Sequence, residues 1–197
     1  MITDNQAYFD ETFSRLTLPK LDLYGVEFED CTFSHCDFSE AHFKHCKFID
    51  CTFEHCNLSL LALPHTRFFA VDFKGCKLMG IDWTQGEWPA FHLDPELSFI
   101  ECLLNDCSFF GLTLHEIIMT ECKLHEVDFR EANLTKASMT YCDFSHSLFM
   151  RTQLAEADLT ESYNIQLNVL ENNVTQAKFS RFAAVDLLFG LGIELVD

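Results

Sequence analysis

Ten cysteines and nine histidines are the residues of this 197-residue chain best equipped for chemistry, and three neighbouring pairs, His35-Cys36, His45-Cys46 and His55-Cys56, suggest zinc. Structural zinc sites draw their thiolates from short spacings such as C-x-x-C. No such spacing occurs here. Cys31, Cys36, Cys46, Cys51, Cys56 and Cys76 are separated by multiples of five, and so are Cys102, Cys107, Cys122 and Cys142. A chain that repeats its direction every five residues sends each of these cysteines inward and each neighbouring histidine outward, so the pairs diverge. Cysteines twenty apart, such as Cys36, Cys56 and Cys76 or Cys102, Cys122 and Cys142, fall within Cα range of a disulfide. Parallel side chains and a reducing compartment oppose that bond. The pattern favours free, buried thiols acting as small apolar residues. No metal and no cofactor is expected.

Catalytic motifs are equally thin. Gly190-x-Gly192 lacks a third glycine and follows a helical stretch, so it is no nucleotide loop. No P-loop, H-E-x-x-H or G-x-S-x-G is present. Serines, histidines and aspartates occupy outward positions, and a rod without a pocket is a poor place to exclude water from a reaction. His35 with His55, and His45 with His65, should stack on one face each; solvated histidines are favoured there over a surface metal site. The expectation is a protein that is not an enzyme.

The elements that must position these residues follow from one period. Every fifth residue from Leu18 to Trp83, and again from Phe99 to Leu159, is Phe, Leu, Met or Trp, 27 positions in all. Two residues before each sits a smaller, uncharged one. Five matches neither the 3.6 of a helix nor the 2 of a strand, and an internal repeat outranks local signals. Two positions of five point inward and three face solvent. Four such sides close a coil of twenty residues, stacked at strand-like spacing of roughly 4.8 Å. The fold expected is an all-β helix of about seven coils over residues 16–163. Residues 1–15 should form an irregular cap, because Glu11 would break the inward line. One extra residue should shift the frame between 84 and 98, with Leu93 still in the old phase. That break is a bulge or short corner loop in one reading and a recognition loop with Trp88, Phe91 and His92 in the other, the first being favoured.

Past Glu161 the repeat stops. Residues 164–178 read as a polar connection, Ser180 as the N-cap of a helix Arg181–Phe189, and Ile193–Val196 as a short strand. The helix is apolar nearly all round, so one side should cap the last coil and another should meet a partner. Phe182, Val185, Leu188, Phe189, Leu191 and Ile193 are the residues expected to join a homodimer. The alternative is a monomer whose tail folds back completely.

Charge narrows the partners. The net charge is −18; residues 1–98 carry 16 acidic and 7 basic side chains, residues 99–197 carry 15 and 6. Direct binding to nucleic acid, which needs a basic footprint, is excluded. In the second run the outward position two after each large residue is acidic at Glu101, Asp106, Glu116, Glu121, Glu126, Glu131, Glu156 and Glu161. Rows of carboxylates on a narrow rod resemble the charge of a duplex, and a partner with a basic saddle could take the rod in place of DNA. A charged surface that serves only solubility is the competing reading. The polar, acidic first residues carry no signal-peptide pattern, and no apolar stretch approaches a membrane span; a soluble cytoplasmic protein is expected.

Segments such as Cys36-Asp37-Phe38-Ser39, Ala132-Asn133-Leu134-Thr135 and Ala157-Asp158-Leu159-Thr160 resemble the pentapeptide repeat, small–Asp/Asn–Leu/Phe–x–x, over about residues 16–161. The resemblance implies a right-handed quadrilateral β-helix. Two columns joined by a small break and an apolar tail are similar to the branch with the quinolone-resistance and microcin-immunity proteins. That branch implies a non-catalytic, dimeric mimic of DNA that binds DNA gyrase or topoisomerase IV and gives tolerance to quinolones or gyrase toxins. The chain departs from some members in having no long inserted loops. A structural or adaptor rod for an unrelated protein partner is the alternative.

Overall fold

The computed structural model describes residues 2–88, 97–194 and 196. It is a right-handed quadrilateral β-helix of about eight turns with one short C-terminal helix. Four faces run along the rod. The first begins with strands Ala7–Phe9, Glu27–Glu29, Lys47–Ile49 and Arg67–Phe69, a four-stranded parallel sheet. The second is a nine-stranded parallel sheet running from Thr12–Ser14 to Lys178–Phe179. Isolated bridges build the third, from Thr17 through Asp37, Asn57, Lys77, Leu103, Lys123 and Asp143 to Tyr163. The fourth runs from Asp22–Tyr24 through His42–Lys44 to the bridges of Asp82, Ser108, Asp128 and Leu148.

Three local devices make five residues one side of the coil. The large residues stack on their own kind: Phe13, Phe33, Phe53, Phe73 and Phe99 lie with centroids 4.6 to 5.1 Å apart and planes within 13°. At most sites where the residue before the large one is Asp or Asn, its Oδ1 accepts the amide N–H two residues on, as for Ser39 on Asp37 (3.0 Å) and Thr135 on Asn133 (3.1 Å); such turns are what Asp and Asn side chains favour. The inward small residue clasps two coils. Cys56 Sγ donates to the Phe33 carbonyl and accepts the Cys36 N–H, both at 3.3 Å. Thr66 bonds Phe43 O and Cys46 N in the same way, and Ser162 bonds Met139 O and Cys142 N.

All ten cysteines are free and buried. Cys36, Cys56, Cys76, Cys102, Cys122 and Cys142 form one column behind the third face; His35 and His55, beside Cys36 and Cys56, are exposed, and so is His45 beside Cys46. Burial pushes the thiols of Cys51 and Cys107 up to about 12.

Five expectations need correction. The rod has about eight coils, because both ends belong to it. Residues 7–9 and 12–14 are paired strands, not an irregular cap. Glu11 is tolerated on the inward line because it is exposed in the first coil. Residues 164–178 are largely the last coil, with Asn173 bridged to Gln153 and Lys178 paired with Asp158. Residues 164–171 interrupt the pattern: the left-handed corners due at Gln166 and Glu171 are missing, one falls at Asn164 instead, and Ile165 and Leu167 are buried beside it. At the frame change, Val71 pairs with Leu97 and Lys77 with Leu103, a step of 26 residues. Glu87 N–H still donates to Thr66 O, so the twenty-residue register holds up to Trp88, and six residues are added where one was expected. Six shifts a five-residue phase by one, which is all that the periodicity can register. Phe91, His92 and Leu93 lie outside the described residues. Finally, Ile193 and Glu194 are irregular instead of a strand.

Candidate acidic docking surface

The rod must turn a corner between faces, and the residue at the corner takes the left-handed backbone region. Its φ lies between 51° and 61° at every non-glycine corner, a conformation that costs an ordinary side chain roughly 1 kcal/mol or more. The corner amide offsets that cost by donating to the next coil, as Glu101 does to Thr120 O (2.9 Å) and Glu121 to Thr140 O (3.1 Å). Each of the eight acidic residues expected to face a partner is such a corner, and each is exposed. Side chains at corners project away from the core, so the acidic rows follow directly from the turn geometry.

The eight do not form one surface. Glu101, Glu121 and Glu161 line the corner between the second and third faces, with Tyr141 (58% exposed) in the same column. Asp106 and Glu126 line the corner between the third and fourth faces. These five straddle the third face. Glu116 and Glu156 lie at the corner between the first and second faces with Lys136 between them, and Lys136 Nζ is 3.7 Å from Glu116. Glu131 is at the remaining corner and pairs with Arg151. Among the described residues the five carboxylates beside the third face have no cationic partner. The sequence reading overlooked Asp10, Asp30 and Asp50, an exposed column at the corner between the first and second faces. Their twenty-residue spacing in the first run was the available signal.

Between the two acidic rows, Asp143 anchors a polar network. It accepts from Ser145 Oγ (2.7 Å) and Asn164 Nδ2 (2.8 Å) and lies 2.8 Å from His125 Nε2. Burial opposes its ionisation, but those hydrogen bonds outweigh it and bring its carboxyl down to about 2. The serine hydroxyl donates to the carboxylate and not to the histidine, so the trio lacks the relay that nucleophilic catalysis needs. Among the described residues, no group of three or more His, Cys, Asp and Glu is placed to hold a metal ion, and no helix is long and apolar enough to cross a membrane.

At the C-terminal end the helix α1 spans Arg181–Phe189. Ser180 takes the extended N-cap backbone but its hydroxyl makes no capping bond. Ala183 and Leu187 pack against the core. The expected dimer residues lie elsewhere on the tail: Phe182 is 88% exposed, Val185 40%, Leu191 39% and Ile193 43%, while Leu188 is half-buried. The side chain of Phe189 is outside the described atoms. A cleft of about 630 Å³ separates α1 from the last coils and is lined by Ser145, His146, Asn164, Gln166, Asn168 and Asp186 among others.

Comparison with known proteins follows the same outline. The family profile described as the pentapeptide repeat region matches residues 26–95 and 91–159. No curated protein matches the chain. Among solved structures, full-length QnrB1, a plasmid-mediated fluoroquinolone resistance protein, aligns with a TM-score of 0.55 at 18% identity over 95% of this chain and 100% of its own. HetL, involved in heterocyst differentiation regulation in the cyanobacterium Nostoc sp. strain PCC 7120, aligns equally well, with a TM-score of 0.55 at 15% identity over 88% of this chain and 85% of its own. Both likenesses are likenesses of fold. A repeat profile spanning most of the rod, on a backbone whose left-handed corners recur every five residues over most of its length, places this chain in the pentapeptide repeat family.

Proposed function

We propose that this chain is a non-catalytic DNA mimic that binds a type II topoisomerase, DNA gyrase or topoisomerase IV, and so gives tolerance to quinolones or to toxins that act on that enzyme. The supporting observation is the pair of unneutralised corner rows, Glu101, Glu121 and Glu161 with Asp106 and Glu126, on either side of one face. The nine strands of the second face make the rod about 38 Å tall at strand spacing. A net charge of −18 over that height is about one charge per 2 Å of axis, close to the 1.7 Å of duplex DNA. The fold shared with QnrB1 agrees with this reading, and the fold shared equally with HetL is why the partner must be tested. A cytoplasmic homodimer joined through Phe182, Val185, Leu188, Phe189, Leu191 and Ile193 belongs to the same proposal.

Binding to purified gyrase, followed by interferometry at two salt concentrations and in competition with linear DNA, tests it. Changing Glu101, Glu121 and Glu161 to Gln with Asp106 and Glu126 to Asn should weaken binding at least about tenfold and flatten its salt dependence. Changing Glu116, Glu131 and Glu156 to Gln should alter it by less than about threefold, because Lys136 and Arg151 already neutralise that side. Binding indifferent to both sets, or absent, would leave an adaptor rod for another partner.

A further inference from the structure

The corner between the second and third faces carries, in its N-terminal half, the column Arg15, His35, His55 and Gly75. The rings of His35 and His55 lie with centroids 5.1 Å apart and planes tilted by 48°. At the diagonally opposite corner, His45 and His65 are 4.8 Å apart and nearly parallel, at 11°. The difference decides what each pair can do. Parallel stacked rings aim their nitrogen lone pairs along lines that do not meet, whereas tilted rings allow them to converge. A zinc ion about 2.0–2.1 Å from an imidazole nitrogen is about 3.2 Å from the ring centroid, so with both nitrogens turned to one ion this separation would subtend about 106° at the metal, close to tetrahedral.

Two neighbours hold the geometry. Ser34 Oγ lies 2.9 Å from His35 Nδ1, and an N–H donated there leaves Nε2 with its lone pair outward, the arrangement that outer partners impose on metal-binding histidines. His55 lies over Gly75, where a Cβ would collide with its Nδ1 and Cε1. Both imidazoles are exposed, and the surplus of negative charge on the rod concentrates divalent cations around it.

We propose that His35 and His55 form a two-imidazole site for a borderline divalent transition metal, Zn²⁺, Ni²⁺ or Cu²⁺. The remaining coordination positions are left to water or to a ligand brought by a bound partner. Two protein ligands are fewer than a structural zinc site uses, so the site is open and its occupancy reversible. It lies in the other half of the rod from the five unneutralised carboxylates and stands independently of the topoisomerase reading.

Calorimetric titration of the untagged full-length protein with NiCl2 and ZnCl2 at neutral pH tests it, with electron paramagnetic resonance of added Cu²⁺ to count the bound nitrogens. One site per chain is expected, with two nitrogen ligands. His35→Asn and His55→Asn should each weaken it by at least about tenfold, and His45→Asn should leave it unchanged. Unaltered circular dichroism separates lost ligation from lost fold. No saturable binding, or binding that survives in the double variant His35→Asn/His55→Asn, or an equal loss on His45→Asn, would overturn the assignment.

Discussion

At the scale of single residues, the inward cysteines hold the coils together as well as filling space. Each thiol bonds a carbonyl 23 residues back in an unbroken stretch of the rod, as Cys36, Cys51, Cys56, Cys122 and Cys142 do. The same seat is taken by Thr66, Thr152 and Ser162. Cys56→Ser should therefore unfold within about 1 kcal/mol of the parent in urea, whereas Cys56→Ala, which leaves the Phe33 carbonyl and Cys36 N–H unbonded on that side, should lose roughly 1–3 kcal/mol. The burial of these residues was legible in their spacing; the clasp was not, because a cysteine reads as apolar until its sulfur is seen between two coils. Asp143 gives a second test. Its folded pKa of about 2 lies below the ordinary carboxylate value, so its contribution is fully present above about pH 4 and is lost as pH falls toward 2. Asp143→Asn should cost on the order of 1–2 kcal/mol at pH 7. The gap to the parent should close as pH falls through 4 to 2, a difference readable in urea midpoints against pH.

At the scale of elements, the faces and their order were legible because one five-residue rule sets them all, and the helix Arg181–Phe189 appeared where its apolar run and Ser180 indicated. The rule failed where its premise, a coil covered on both sides, fails. Glu11 looks forbidden only if a coil lies beneath it, and Asn164 looks like the end of the rod only if the chain cannot recover its register two repeats later. It does recover, since Asn172 Oδ1 accepts the Thr152 N–H at 2.9 Å. The acidic residues were legible as rows, since twenty residues to a coil already set Glu101, Glu121 and Glu161 on one edge and Asp106 and Glu126 on the next; the neutralising partners Lys136 and Arg151 were not. For the tail, removal of residues 180–197 should leave the coils folded, since α1 contacts them chiefly through Ala183 and Leu187. Light scattering should find the full chain dimeric and the shortened chain monomeric. A shortened chain that remains dimeric would remove the tail as the joint.

At the scale of the whole molecule, the rod presents one repeated backbone and varies its three outward positions, so shape comes from the inward lines and recognition from the corners. That division explains why the fold was legible and the partner was not: the large and small inward residues admit few alternatives, while a corner accepts Asp, Glu, His, Lys, Arg, Tyr or Leu at similar φ. It also explains why a shared fold with QnrB1 and HetL leaves their different roles unshared. The central claim is that this acidic rod takes the place of DNA on a type II topoisomerase. A supercoiling assay with purified gyrase, run with and without a fluoroquinolone while this protein is titrated, tests it most directly. The account predicts a dose-dependent change in supercoiling or in drug-stabilised cleavage complexes, lost when Glu101, Asp106, Glu121, Glu126 and Glu161 are neutralised. Supercoiling and cleavage that stay unchanged at large molar excess of the unaltered protein would contradict it.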